Sequence, residues 1–410
     1  MTGSSSAAMD AFVDEARAVP IESEIAKRKL RLKRAGTELV GPCPVCGGDD
    51  RFGVNPRKGV FNCRGSGKGG DVIALVEYLD ATDFIGACET LTGRKAPKGE
   101  SRGPDEAEIA RREARRIAAA AERERGEVDY REQERARMRR FWKEAGPVDE
   151  GSPVARYLAG RGLPLPNVRT LRCLVDHPYY VSRREGDREV WHEIWRGPAM
   201  IAAIVDAAGV FRGGHVTWID PESFGKAEIV DPESGEILKA KKVRGSLTGN
   251  HIDLSPCRPL DGEILPPLRR LVVGEGIETV LSVRLALAAR KPAAWLAETA
   301  FWSSISLGNL GGKATETIPH PTEIKIDRRG AKRRLKVPGS IPAEEAGKPA
   351  LMPPDEIDEI ILLGDGDSDP FATSQVLQRA STRWARPGRS ILAAWAPAET
   401  DFNDLLRAAA

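Results

Sequence analysis

LRRLVVGEGIETVLSVRLALAAR, residues 268–290, opens on a short apolar run, breaks at Gly-Glu-Gly and continues with helical periodicity. A short apolar run passing at once into a helix is how a β–α unit of an α/β sheet begins. Glu275 then stands at the tip of the strand, and Gly276 lets another group approach the backbone closely. The pattern returns twice. IDEIILLGDGD (357–367) ends an apolar run on Asp365 and Asp367, and SILAAWAPAETDFNDLL (390–406) leads to Asp401 and Asp404. With SSISLGN (303–309) taken as a further strand and TSQVLQRASTRWA as a helix, the order from 268 onward is strand, helix, strand, strand, helix, strand, helix. Short crossovers of this kind give a largely parallel sheet. An insert, 311–353, interrupts it and carries IKIDRRGAKRRLKV, seven basic residues against Asp327.

Carboxylates at the carboxyl ends of parallel strands sit on rigid elements, where they can hold a divalent cation against phosphate charge. One such group alone is adequately explained as a helix cap or turn residue, and DFND taken singly reads that way. Three groups, each ending an apolar strand, argue jointly for a metal site.

The N-terminal third has a different chemistry. Cys43-x2-Cys46-x16-Cys63-x2-Ser66 has zinc-ribbon spacing, with a hydroxyl where the fourth sulfur belongs. Serine resists deprotonation, so water, Asp49, Asp50 or the more distant Cys88 stand as candidates for the fourth place. A bound zinc of reduced affinity and a metal-free remnant both remain open. A deaminase zinc site is excluded, because its upstream His-x-Glu is absent and the first histidine is His177. GSGKGG (65–70) matches a dinucleotide fingerprint only as letters. It also fails as a P-loop, since Gly69 stands where a hydroxyl must meet Mg²⁺.

At 410 residues, with 41% hydrophobic and 30% charged residues, the chain has room for several cores and has no apolar stretch long enough for a membrane span. The N-terminus lacks the pattern of a signal peptide, and the expectation is a soluble, cytoplasmic protein with no membrane partner. Six cysteines are too sparse for a disulfide framework. A net charge of +2 announces no nucleic-acid binder, so local charge must carry that case. Residues 11–35 read as one amphipathic helix. Residues 104–146 hold 12 basic against 11 acidic residues, as a solvated, salt-bridged linker helix would. AMIAAIVDAAGVFRGGHVTWID reads as a β-hairpin turning at DAAG. LKAKKVRGSLTG supplies Lys239, Lys241, Lys242 and Arg244, suited to phosphate contact or to guarding a sheet edge.

CPVCGGDDRFGVN, followed by GVFNCRGSGKGGDVIALVEYLD, resembles the N-terminal zinc-binding domain of bacterial DNA primases and their phage and plasmid relatives. The pattern of Glu-Gly after one strand, Asp-x-Asp after a later one and a final acidic group resembles the Toprim domain. That resemblance implies an α/β multidomain chain: an N-terminal helix (1–38), a zinc-ribbon-like module (39–95), a charged helical linker (96–150), a basic α+β subdomain (151–262) and a Toprim sheet domain (263–410). It implies catalytic roles for Glu275, Asp365 and Asp367. Mg²⁺ or Mn²⁺ would sit on Asp365 and Asp367, assisted by Asp401 or Asp404, and zinc on Cys43, Cys46 and Cys63. Nucleic acid or nucleotide would meet Lys239, Lys241, Lys242 and Arg244, and Arg328, Arg329, Lys332, Arg333 and Arg334 of the insert. The implied partners are a single-stranded DNA template, ribonucleoside triphosphates and a separate replicative helicase, and the implied reaction is primer synthesis by nucleotidyl transfer. A Toprim nuclease and a non-catalytic accessory protein are the alternatives. Thr279 departs from the pattern, standing where many primases carry an acid, and Glu278 is expected to point elsewhere.

Overall fold

In the computed structural model, residues 4–97, 106–185, 188–257, 266–326, 332–343 and 350–409 are described. They fall into two compact units: Met1–Ala120 with Tyr180–His192 and Thr322–Leu335, and Ala121–Tyr179 with Glu193–Pro321 and Lys336–Ala410.

The first unit contains a five-stranded sheet in sequence order: Lys33–Ala35, Glu38–Cys43, Gly47–Asn55, Val60–Cys63 and Lys68–Gly70, all neighbours antiparallel. The single helix expected over 11–35 is not formed. A helix spans Ser4–Ala18, a second spans Ile21–Lys27, and Lys33–Ala35 is a strand. Pro20 explains the break, since it has no amide to donate and pushes the residue before it out of helical geometry. Gly36, at φ 63°, then turns the chain into the first hairpin. Phe12, Ala16, Ile21 and Ile25 from these helices share one buried cluster with Phe52, Val54, Phe61 and Ile73 of the thiol-bearing segment. The GGD sequence has a local purpose: the Asp71 carboxylate caps the Val72–Asp80 helix by accepting from the Ala74 amide at 3.0 Å. Such a cap stabilises a helix by about 1 kcal/mol. GSGKGG, for its part, forms a turn and an edge strand.

A four-stranded sheet runs Lys241–Gly245, Phe211–Trp218, Arg188–Val205, Leu171–Glu185 in spatial order, its first three strands paired antiparallel. The hairpin expected at DAAG is present: Asp206 accepts from the Ala208 and Val210 amides while Gly209 takes φ 75°. The linker helix, Glu106–Glu144, departs from the expectation of a fully solvated element near its end. Met138 is 2% exposed and Glu134 6%, with Glu134 paired to Arg244 at 3.3 Å. Gly214 makes room for Met138, since a Cβ there would lie 2.6 Å from the thioether methyl. Balanced charge along a helix does not reveal which of its turns will be covered.

The other sheet has the order Ile252–Asp253, Thr299–Ser303, Arg270–Gly274, Glu359–Gly364, Ser390–Trp395, parallel except for the first strand. Both faces are covered. Val272, Phe301 and Leu363 pack on one side with Ile277, Val280 and Leu281; Leu271, Val273 and Leu362 pack on the other with Leu377, Ala380 and Trp384. That is why the three central strands read as unbroken apolar runs, while the Ser390–Trp395 edge strand keeps Leu392 and Trp395 exposed. The strand expected at SSISLGN lies a few residues earlier, at Thr299–Ser303, and Leu307–Gly311 is a short helix capped by Ser306. TAFWS is buried at every position, so it lacks the alternation by which a half-exposed strand shows itself. The buried cluster behind Val272 also includes Val154, Tyr157, Leu171 and Met200, so the 151–262 and 263–410 segments share a core. The insert forms a two-stranded ladder, Thr317–Ile326 with Lys332–Pro338. Buried Arg379, 1% exposed, ties down its base by donating to the carbonyls of Gly311, Gly312 and Gly339.

Candidate functional site

The Arg270–Gly274 strand places Glu275 at its tip, held by its own carbonyl, which accepts from the Ile305 amide at 3.0 Å and the Ser303 hydroxyl at 2.7 Å. The neighbouring Glu359–Gly364 strand delivers Asp365 and Asp367. Gly366 between them is pressed against the next loop, where any Cβ would come within 2.0 Å of the Pro397 carbonyl oxygen. That approach brings Asp401 alongside. Glu275, Asp365, Asp367 and Asp401 line one cavity of about 250 Å³. They face a common space without closing on a point: among the described residues, only the cysteine trio gathers three ligand atoms within 4.8 Å of one another.

Two carboxyls of the cavity are raised. Burial, opposed by a hydrogen bond from Thr279 and reinforced by Asp401, Asp367 and Glu275, pushes the Asp365 carboxyl up to about 6. Glu275 is raised too, first by burial and further by Asp367, against an amide hydrogen bond and Lys241. Asp401 doubles as the cap of the Phe402–Ala408 helix, accepting from the Asp404 amide at 2.7 Å. Asp404 is exposed and outside the cavity, and its carboxylate accepts from the Asp401 amide at 3.3 Å. The residue between them that does most for the site is buried Asn403, whose amide donates to the Arg161 carbonyl at 2.7 Å.

Two departures noted in the sequence resolve here. The Thr279 hydroxyl donates to Asp365 at 3.1 Å. Glu278, expected to point elsewhere, also lines the cavity, paired with Lys241 at 3.1 Å and accepting from the Tyr157 hydroxyl. Burial alone would raise its carboxyl, but Lys241, Tyr157 and Lys226 together hold it well below the usual range.

The basic run is divided by the two-residue period of its strand. Lys241 faces the cavity. Lys242 points the other way, its ammonium 3.4 Å from the centre of the Tyr179 ring, and Arg244 pairs with Glu134. Lys239 is exposed, and its carbonyl accepts from the Tyr179 hydroxyl at 3.1 Å. Lys242→Ala is therefore expected to lower stability by about 1 kcal/mol through the lost cation–π contact. It should leave nucleotide affinity unchanged, which denaturant melts and a nucleotide titration would check. The remaining cations of the cavity, Arg161 and Lys226, and the buried His215, held down at about 4 by burial and Lys241, come from separate loops and strands. No motif in the sequence marks them. In the insert, Lys332, Arg333 and Arg334 lie exposed on a strand, whereas Arg328 and Arg329 fall outside the described residues.

In the first unit, Cys43, Cys46 and Cys63 form the thiol cluster, with 3.3 Å between the Cys46 and Cys63 sulfurs. Of the candidates for a fourth ligand, buried Cys88 is not in the cluster, Asp50 is exposed, and nothing is described of the Asp49 side chain.

Residues 8–101 match the family described as CHC2 zinc finger, and residues 132–254 match a domain of unknown function (DUF7146). The first 100 or so residues thus form a zinc-ribbon module of the type found in DNA primases. Similar proteins are a DNA primase of Mycobacterium tuberculosis (strain ATCC 25618 / H37Rv), 29% identical over 35% of this chain and 21% of the relative, and a DNA primase of Streptomyces coelicolor, 40% identical over 19% and 12%. The matches span about a fifth of the length of the first curated relative and about an eighth of the second. The crystal structure of the Aquifex aeolicus primase zinc-binding and RNA polymerase domains aligns over 97% of this chain and 82% of that one, at 14% identity and a TM-score of 0.34. That overlap is too loose for any argument to rest on. No helix among the described residues is long and apolar enough to cross a membrane.

Proposed function

We propose that the protein is a DNA primase, joining ribonucleoside triphosphates into short RNA primers on single-stranded DNA, with the C-terminal sheet acting as its Toprim domain. One observation carries this reading: a cavity in which Glu275, Asp365, Asp367 and Asp401 face Arg161, Lys226 and Lys241. Burial first, and then Asp401, Asp367 and Glu275, raise the Asp365 carboxyl, a penalty on its charged form that a divalent cation would relieve. Mg²⁺ or Mn²⁺ held by Asp365 and Asp367, with Asp401 beside them, would supply neutralisation of the triphosphate and acidification of the attacking 3′-hydroxyl. Thr279 orients Asp365 through its hydrogen bond. Arg161 and Lys226 would hold phosphate oxygens, and Glu275, raised by burial, is better suited than an ordinary carboxylate to taking up a proton. The zinc-ribbon module and the basic strand of the insert would engage the template. The role of a separate helicase belongs to the same proposal.

The test combines the full chain with single-stranded DNA, labelled ribonucleotides and Mg²⁺ or Mn²⁺. Template-dependent oligoribonucleotides are the expected product. Cut DNA would replace the reading with a nuclease, and binding alone with an accessory protein.

A further inference from the structure

The fourth corner of the thiol cluster is filled by a residue that cysteine spacing does not reveal. The Tyr78 hydroxyl lies 3.0 Å from the sulfur of Cys43, a member of the cluster that also holds Cys46 and Cys63. Ser66, in the position of the missing sulfur, donates its hydroxyl to the same oxygen at 3.0 Å. The tyrosine is firmly placed: its ring stacks on Phe61, with centroids 5.5 Å apart, and its helix begins at the Asp71 cap. An oxygen in contact with one sulfur of the trio, and itself receiving a hydrogen bond from Ser66, has the surroundings of a coordinated phenolate. Zinc takes four ligands at about 2.0 to 2.3 Å, and three thiolates leave one position for a harder donor. Thiolate sulfurs alone suit zinc, so the donor set fits the ion.

We infer that Tyr78 is the fourth zinc ligand of this module, binding through its phenolate oxygen, and that Ser66 serves as the hydrogen-bond donor that supports it. On binding, a Zn–O bond forms, the phenol O–H bond breaks and its proton passes to water, as do those of the thiols. Ser66 is thus a compensated replacement for cysteine.

The experiment strips the full-length protein of metal with a chelator under reducing conditions and titrates zinc back at neutral pH. A near-ultraviolet difference band of one tyrosinate per chain is expected, absent from Tyr78→Phe. Competition with a chromophoric chelator should show Tyr78→Phe binding zinc about 10- to 100-fold more weakly. Ser66→Cys should bind more tightly and lose the tyrosinate band, and its cobalt derivative should gain sulfur-to-metal absorption. Should Tyr78→Phe fold poorly, Ser66→Cys and the double variant Ser66→Cys/Tyr78→Phe supply the comparison, with equal zinc affinity expected of the pair. A wild-type titration without the tyrosinate band, or Tyr78→Phe with unchanged zinc affinity, overturns the assignment. None of these readouts involves priming, so failure here and failure of the primase reading are distinguishable.

Discussion

Asp365→Asn should lower template-directed ribonucleotide incorporation by about a thousandfold, the equivalent of about 4 kcal/mol of lost transition-state stabilisation. At the same time it should leave the metal-free protein at least as stable as the wild type. The two effects have one cause. Asp365 sits half-buried beside Asp401, Asp367 and Glu275, and burial together with those charges raises its carboxyl from the ordinary 3.8 to about 6. A carboxyl with a raised folded-state pKa favours the fold fully below its unfolded value and loses that contribution as pH climbs through the folded one. Metal-free wild type should therefore lose stability between about pH 4 and pH 6 on account of this group. Asparagine removes the charge, keeps an oxygen for Thr279 and abolishes that part of the pH dependence. Added Mg²⁺ should stabilise the wild type at neutral pH and do so much less for Asp365→Asn. Thermal melts across pH, with and without the cation, test this beside a priming assay. Undiminished synthesis by the variant would remove Asp365 from the site.

Lys241→Met carries the second large effect, expected on stability more than on chemistry. Its ammonium is the charged partner of Glu278, whose side chain is 7% exposed, while Lys241 itself is 33% exposed. Removing one member of a buried pair leaves an uncompensated charge and costs about 3 to 5 kcal/mol. The Tyr157 hydrogen bond recovers only part of that. Because Lys241, Tyr157 and Lys226 hold the Glu278 carboxyl below its usual range against the pull of burial, the pair stabilises the fold above the ordinary carboxylate pKa, and that contribution fades as pH falls. The deficit of Lys241→Met should thus be largest at neutral pH and shrink in acid. Lys241→Met/Glu278→Gln should regain most of it, which a denaturant double-mutant cycle would measure. If Lys241→Met is as stable as wild type and only binds nucleotide more weakly, Lys241 is a phosphate contact first and the internal pairing is incidental.

TAFWS escaped notice as a strand because burial on both faces erases alternation, and the strand was placed a few residues late. In the 11–35 segment, amphipathic pattern outweighed Pro20, although proline acts on the backbone whatever the pattern of its neighbours. A strand sends successive side chains to opposite faces, so Lys241 and Lys242 serve different neighbourhoods.

What the linear chain determines by itself is whatever lies within one turn of its own secondary structure. Glu275, Asp365 and Asp367 each follow an apolar strand within a few residues, so their position at a sheet end is encoded locally, as are the Cys43–Cys46 spacing and the Asp71 cap. Only the tertiary structure decides what those groups face. Arg161, Lys226 and Lys241 meet the acids from distant segments, Glu278 is turned into the cavity by the packing of its helix, and Tyr78 reaches the thiols across a fold that brings Cys43, 35 residues away, to its hydroxyl. Long-range neighbours are chosen by burial and register, which involve the whole chain at once, and no local spacing records them.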